Sequence, residues 1–441
     1  MTLRFGTDGV RGEALTVLTT EYVSSLARAA AEVLGGDMWL IGRDPRESGP
    51  ALEAAVVDGL IGAGVSPLLL GVVPTPALAW MSAQMAVPAV MITASHNPWH
   101  DNGVKVFAQG GLKLTDDVEA AIEAAMHDEI APAVDSQVAD TPTAIATEHE
   151  WREGYTAHLV GADGSLKGLR IVLDCANGAT SQVAPAVFRA LGADVVVIHD
   201  APTGRNINDE CGATNTASLA EAVIAHKAEL GLAFDGDGDR VIAVDHRGHA
   251  VDGDRMIALA ALQLRDEGTL RHNAVVVTVM SNLGFHKAMA AANIEVVTVA
   301  VGDRYVLEAL AAGQFSLGGE QSGHIIYRDL ATTGDGVLAG LRLAHFVHSS
   351  GRTLAELADE VMATYPQVLI NVKVRVRHPQ VATELADEIA AADAALGGEG
   401  RVLVRASGTE PLIRVMVEAN TQEAAQTVAD ELAATVLRRF G

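Results

Sequence analysis

Three aspartates alternate with glycines in Asp235-Gly236-Asp237-Gly238-Asp239-Arg240. Carboxylates spaced this way can converge on one hard cation, and the glycines let the backbone bend tightly enough to aim them. An all-oxygen donor set suits magnesium or calcium. The plain alternative is an acidic surface turn. An EF-hand loop is excluded, because it needs Gly at position 240 and Glu at position 246, where the chain carries Arg240 and His246. The run follows the apolar Leu232-Ala233-Phe234, and ligands of parallel α/β sheets gather beyond the carboxyl ends of strands.

Ser95 occupies a similar place, in Thr93-Ala94-Ser95-His96-Asn97-Pro98 after the apolar run 89–92. A serine at a strand end can act as a nucleophile or carry a phosphoryl group; otherwise it is a turn or cap serine. His96 is the adjacent base, but neighbouring side chains on extended backbone point to opposite faces, so the two are not paired. Lys105, in Asp101-Asn102-Gly103-Val104-Lys105, can reach back to the same site. Its alternative is a solvated surface lysine.

Arg405-Ala406-Ser407-Gly408-Thr409-Glu410, followed by Arg414, suits an anion. The Ser-Gly-Thr turn offers backbone N–H groups and hydroxyls, and the arginines add bidentate contacts that match phosphate. The alternative is a hairpin turn with exposed arginines. Gly319-Glu320-Gln321-Ser322-Gly323-His324 is a polar, flexible loop with groups spaced for a polyol, and Phe5-Gly6-Thr7-Asp8-Gly9-Val10-Arg11-Gly12 sets one aspartate and one arginine among glycines.

Strands and helices must position these loops. Val23, Leu26, Ala30, Val33 and Leu34 keep helical spacing, which Gly35-Gly36 ends. Residues 39–41 read as a short buried strand, 51–63 as a helix, and 68–73 and 89–92 as strands. The pattern restarts at 169–173, with a helix at 183–191 and strands at 195–198 and 232–234. It restarts again at 275–279, with strands at 296–299 and 315–317. Repeated strand–helix–strand units predict largely parallel, helix-covered sheets. The end differs: an alternating strand at 368–376, a helix, two hairpin-like strands at 402–404 and 413–417, and a closing helix at 421–437 predict a small α+β domain. Residues 135–147, polar and without periodicity, read as a linker.

The 441 residues suffice for about three or four domains. A hydrophobic share of 49% against 20% charged residues fits a soluble globular chain, and with aromatics at 4% the core must be filled by Ala, Val and Leu. A formal net charge of −25 argues against nucleic acid and against an anionic membrane surface. It leaves a phosphorylated ligand open, provided basic groups are concentrated locally. Two cysteines, Cys175 and Cys211, are no disulfide framework and suit a reducing cytosol. The start, MTLRFGTDGV, has no apolar signal core. The uncharged stretch 59–95 is broken by Pro67, Pro74, Pro76 and Pro88, so it reads as buried core and not as a membrane span.

Taken together and in this order, the segments resemble the α-D-phosphohexomutase superfamily over nearly the whole chain. Residues 93–98 look like its phosphoserine loop, 235–240 its metal loop, 319–324 its sugar loop and 405–414 its phosphate loop. The chain is most similar to the branch acting on glucosamine phosphates, through residues 5–12, Val301-Gly302-Asp303-Arg304-Tyr305-Val306, Gln321, Asp174-Cys175-Ala176-Asn177-Gly178-Ala179 and Asn206-Ile207-Asn208. Ala406 departs from the family, which often has proline or lysine there. The resemblance implies three related mixed-sheet α/β domains and a smaller C-terminal α+β domain around a central cleft. They divide as 1–150 with the phosphoserine, 151–252 with the metal loop, 253–366 with the sugar loop and 367–441 with the phosphate loop.

The resemblance also implies a reaction: glucosamine 6-phosphate to glucosamine 1-phosphate through phospho-Ser95 and a glucosamine 1,6-bisphosphate intermediate, feeding cytoplasmic UDP-N-acetylglucosamine and cell-wall precursor synthesis. Mg2+ would be held by Asp235, Asp237, Asp239 and a phosphoserine oxygen on Ser95, with Arg240 assisting. Lys105, His324 and Arg11 are the unranked acid/base candidates. Glu320 and Ser322 would hold the sugar hydroxyls, and Arg405, Ser407, Gly408, Thr409 and Arg414 the phosphate that is not reacting. The expected partner is a small-molecule sugar phosphate, and a homodimer is held open. Rival readings are the same chemistry on glucose or mannose phosphates, a non-catalytic sugar-phosphate sensor, and a metal-dependent phosphatase.

Overall fold

The computed structural model describes residues 3–6, 8–128, 144–145, 148–407 and 411–441. Most of the expected linker, residues 135–143 and 146–147, lies outside the described residues, as do Thr7, Gly408 and Thr409. Of the linker, Ala144–Ile145 is a short strand, paired parallel with Ser66–Val72. The chain forms two compact units, Met1–Met280 with Asn293–Val361, and Ser281–Ala292 with Met362–Gly441.

In the first unit, continuous apolar runs become buried parallel strands. Met38–Arg43 pairs in parallel with both Ser66–Val72 and Ala89–Ile92. Such strands are covered on both faces and need no polar alternation. The helix Thr20–Leu34 covers one face with Val23, Leu26 and Ala30. The Thr19 side chain accepts the Tyr22 N–H at its start, and Gly35, at φ 69°, ends it. Val33, counted with the buried stripe from spacing, is exposed at 37%. The helix expected at 51–63 is Gly49–Gly62. The uncharged stretch supplies two strands and the helix Thr75–Met85, and among the described residues no helix is long and apolar enough to cross a membrane.

The sheets are mixed. Asp101–Ala108 returns antiparallel beside Ala89–Ile92 and pairs with Val10–Glu13 on its other edge. This hairpin brings residues 93–98, Lys105 and Arg11 to one end of the sheet. A second sheet sets Arg170–Asp174 between Asp194–Ile198 and Leu230–Phe234, all parallel, with Val241–Asp245 antiparallel beyond. The loop 235–240 is the turn of that last hairpin. A third sheet has Ala274–Thr278 flanked in parallel by Glu295–Val299 and Leu317–Gly319, and Ile325–Tyr327 closes it antiparallel. The loop 320–324 joins those two closing strands. Each of these three loops therefore follows an interior strand of its sheet.

The second unit is a three-stranded antiparallel sheet, with Leu412–Ala419 between Gln367–Lys373 and Gly400–Ala406. Its core is aliphatic, with Ile413, Val415 and Val417 packed on Ala425, Ala429 and Val436 of the closing helix Gln422–Phe440.

Candidate active site

The Ser95 backbone is left-handed, at φ 52°. This conformation is uncommon for a residue with a Cβ and persists only where the surroundings impose it. Thr93 Oγ1 accepts the Ser95 N–H at 2.9 Å, and Thr93 in turn donates to Asp44 Oδ2 at 2.7 Å. The Ser95 carbonyl accepts from Arg46 Nη2 and from Asn208 Nδ2, both at 2.9 Å. Arg46 is fully buried and also binds the carbonyls of Asn97, Pro98 and Asp101, while Nε pairs with Asp44 at 2.9 Å. One guanidinium thus fixes the whole turn.

The metal-loop glycines allow the two loops to meet. A Cβ at Gly236 would lie 2.6 Å from the Ser95 carbonyl oxygen, and Gly238 has φ +75°. Asp235, Asp237 and Asp239 are buried, and one oxygen from each lies within 4.8 Å of the others. Ser95 Oγ donates to Asp235 Oδ2 at 2.6 Å. Burial, then the charges of Asp239 and Asp237, push the Asp235 carboxyl well above the usual range. Asp237 Oδ1 and Asp239 Oδ1 are buried without a hydrogen-bond partner among the described residues. Crowded carboxylates with spare lone pairs and only oxygen donors fit a hard divalent cation.

The other expected groups of this unit gather here. Lys105 Nζ lies 2.8 Å from Asp237 Oδ2 and 3.0 Å from both Asp239 Oδ2 and Asp8 Oδ2. Burial opposes its charge, but the three carboxylates outweigh it and hold the ammonium well above its ordinary pKa. Arg11 donates to Ala94 O at 3.2 Å and Asn97 Oδ1 at 3.3 Å, and pairs with Asp8. The Arg240 N–H donates to Asp235 Oδ1 at 3.1 Å. His324 is buried, with Nδ1 3.7 Å from Asp239 and Nε2 accepting the Gly334 N–H at 3.1 Å. That bond suits a proton on Nδ1, whereas Asp239 and Asp303, working against burial, raise the ring's pKa. The direct hydrogen bond favours the neutral Nδ1–H ring in this arrangement.

His96 corrects the sequence reading. Its Nδ1 is 3.4 Å from Ser95 Oγ, because the left-handed Ser95 breaks the alternation of extended backbone. Burial, then Arg240 and Arg11, push His96 down to about 4, so the ring is neutral near pH 7.

In the sugar loop, Glu320 Oε1 accepts the Gly302 N–H at 3.2 Å, Ser322 is exposed, and Gln321 Nε2 turns to Asp252 at 3.4 Å. In the second unit, Arg405 and Arg414 face each other across paired strands. Burial and then Arg414 depress the Arg405 pKa, and the buried Arg414 Nε lacks a hydrogen-bond partner among the described residues. Two apposed guanidiniums call for an anion. Ser407 is buried, and its N–H donates to Leu412 O at 2.9 Å.

Sequence reading missed Arg46, Lys113 and Thr75. Lys113 bridges Asp8, at 2.8 Å, and Asp303. Thr75 Oγ1 donates to Asp237 Oδ2 at 2.6 Å. With Lys113, a closed ring in which three aspartates alternate with two lysines and an imidazole runs Asp8, Lys105, Asp239, His324, Asp303, Lys113 and back. Arg46 had one legible signal, a charged turn, Arg43-Asp44-Pro45-Arg46, directly after an apolar strand.

Comparison with known proteins agrees with this geometry. Four phosphoglucomutase/phosphomannomutase domain profiles match in order: α/β/α domain I at residues 2–132, α/β/α domain II at 153–248, α/β/α domain III at 252–365 and the C-terminal domain at 369–435. The chain is 52% identical over 444 residues to a phosphoglucosamine mutase of Rhodococcus jostii, covering 98% of both, and 51% identical over 447 residues to one of Thermobifida fusca, covering 99% of this chain and 98% of that protein. The crystal structure of a phosphoglucomutase/phosphomannomutase family protein from Burkholderia thailandensis superposes with a TM-score of 0.81 at 25% identity, over 98% of this chain and 97% of that one. The fold of Aspergillus fumigatus N-acetylphosphoglucosamine mutase, solved with GlcNAc-6P and magnesium, matches with a TM-score of 0.72 at 19% identity, over 100% and 96%. A strained serine beside a buried aspartate triad, on four domains of this order, is the arrangement of a phosphosugar mutase, and the chain belongs to the phosphoglucomutase/phosphomannomutase family within the α-D-phosphohexomutases.

Proposed function

We propose that this chain interconverts glucosamine 6-phosphate and glucosamine 1-phosphate through phospho-Ser95, in the cytoplasm, as a step of UDP-N-acetylglucosamine and cell-wall precursor synthesis. The observation that carries the reading is the Ser95 Oγ, held 2.6 Å from Asp235 in a clamped left-handed turn. The names of the relatives point to the glucosamine phosphates.

In the first half-reaction the bond from phosphorus to Ser95 Oγ breaks as a bond to the free sugar hydroxyl forms, and the hydroxyl proton passes to a base. The product is glucosamine 1,6-bisphosphate. After the bisphosphate turns over, its other phosphate returns to Ser95 and the released sugar oxygen takes up a proton. Positioning and charge supply most of the acceleration in such transfers. Arg46 and Asn208 fix Ser95, and Arg11 braces the loop through Ala94 O and Asn97.

Asp235, Asp237 and Asp239, with a phosphoserine oxygen, would hold Mg2+, which when bound neutralises charge on the transferring group. Lys105, held as an ammonium, is the proton donor of the candidate set, and His324, with its proton on Nδ1, stands beside it through Asp239. His96 Nδ1, neutral and near Ser95 Oγ, joins the proton acceptors. Glu320 and Ser322 would hold sugar hydroxyls, and Arg405, Ser407, Gly408, Thr409 and Arg414 the second phosphate. Domain limits at 150, 252 and 366, and a homodimeric assembly, belong to the same reading.

The test is phosphorus NMR of the purified protein with Mg2+ and a trace of bisphosphate, given glucosamine, glucose or mannose 6-phosphate. Preference for the glucosamine phosphates is expected. Preference for glucose or mannose keeps the mechanism and overturns the substrate. Release of inorganic phosphate without isomer overturns the mutase reading.

A further inference from the structure

A second set of donor atoms converges away from the aspartate triad, at the carboxyl ends of Arg170–Asp174 and Asp194–Ile198. Parallel register sets Asp174 opposite Ile198, so Asp174 and the following residue, His199, emerge side by side. Cys211 arrives from the loop 206–212, which is anchored there because Asp174 Oδ2 accepts the Gly212 N–H at 2.9 Å. One Asp174 oxygen, one His199 ring nitrogen and Cys211 Sγ all lie within 4.8 Å of one another.

Asp174 and Cys211 are fully buried, and the His199 side chain is 31% exposed. His199 Nδ1 lies 3.1 Å from Asp174 Oδ1, close enough to share charge with it, but this buried nitrogen has no well-aligned hydrogen bond among the described residues. The polar contact to the thiol is Asn177 Nδ2, at 4.0 Å. Asp174 Oδ1 accepts the Ala176 N–H and Oδ2 the Gly212 N–H, both at 2.9 Å, which aims the carboxylate at the trio, while the His199 ring and the Cys211 thiol keep most of their donor capacity, with one side open to solvent.

The chemistry differs from that of the triad. Thiolate, imidazole and carboxylate together suit zinc-class ions, which bind sulfur at about 2.3 Å and nitrogen or oxygen at about 2.0–2.2 Å, and three protein ligands leave a fourth position for water. We propose that Asp174, His199 and Cys211 form a second metal site, selective for a thiophilic divalent cation of the zinc class. On binding, the Cys211 S–H bond breaks, its proton leaves to water, and the sulfur lone pair forms the bond to the metal.

The site bears on Ser95 by direct connection. The loop that carries Cys211 also carries Asn208, whose amide donates to Ser95 O at 2.9 Å and Asn97 O at 3.2 Å. Metal binding staples that loop to two strand ends of the second sheet.

The test uses the full chain, stripped with chelator and titrated with cobalt(II), an absorbing surrogate for zinc. A thiolate-to-cobalt charge-transfer band is expected in the near ultraviolet, saturating at one equivalent and displaced by zinc. It should persist in Cys175→Ser and in Asp237→Asn, vanish in Cys211→Ser, and require at least about tenfold more cobalt in His199→Ala. Absence of the band in the unaltered chain, or its persistence in Cys211→Ser, overturns the site. If Cys211→Ser does not fold, His199→Ala decides, because unchanged cobalt affinity there overturns it equally.

Discussion

Ser95 Oγ donates a hydrogen bond to Asp235 Oδ2 at 2.6 Å, across the junction of two sheets. A phosphoryl group on Oγ removes that proton and adds about −1.5 to −2 charges beside three carboxylates. The bond that joins the loops would become a repulsion unless a cation stands between them.

Phosphorylation should therefore tighten magnesium binding. Isothermal titration of the phosphorylated protein against the same protein after phosphatase treatment should show at least about a tenfold lower Kd for the phosphorylated form. Equal affinities would separate the triad from Ser95.

Ser95→Ala removes the oxygen that carries the phosphoryl group, and with it the covalent route. Mutase turnover should fall by more than about 10³-fold, measured by the appearance of sugar 1-phosphate. Near-native turnover in a preparation free of other mutases would refute the mechanism.

Arg46 is the buried clamp of the serine turn. Arg46→Met frees four carbonyls and leaves Asp44 buried without its partner, which should cost about 3–5 kcal/mol. Arg46→Lys should rescue little, because one ammonium does not reproduce the planar fork. Thermal unfolding and turnover check both variants, and a melting point within experimental error of the unaltered chain would show that the turn is held elsewhere.

Gly236→Ala places a methyl group 2.6 Å from the Ser95 carbonyl oxygen and 2.8 Å from Asn208 Nδ2. The loops must part by several tenths of an ångström, and a misplacement on that scale should lower kcat by at least about tenfold. Gly161→Ala is the control, since nothing lies within 4 Å of a Cβ there. Equal activity of the two variants would mean that the contact is not needed.

His286, in the second unit, has its pKa lowered by burial and then by Arg401. Near pH 6 the unfolded state thus binds more protons than the folded one, so stability falls as pH drops from about 6.5 toward the folded value. The loss is bounded at about 1.4 kcal/mol per pH unit. Melting curves at pH 7.5 and 5.5 should show His286→Gln losing less than the unaltered chain, and an identical loss would assign the acid sensitivity to other groups.

The amino-acid sequence by itself determined which loops carry chemistry. The apolar runs at 89–92 and 232–234 end at Ser95 and Asp235, and a residue type with a job at a strand end is visible in one dimension. It also determined the alternation of strand and helix and the distinct C-terminal unit, because period and turn residues are local properties.

Only the tertiary structure decided how the loops lock together. Arg46 reads in one dimension as a solvated charge, and burial is a property of what packs around it. Lys113 and Asp303 meet across 190 positions, and the sequence gives no measure of that distance. Extended backbone would point His96 away from Ser95, but Arg46, Asn208 and Thr93 together hold Ser95 in a left-handed turn that no local preference would choose, and the His96 ring comes within 3.4 Å of Ser95 Oγ.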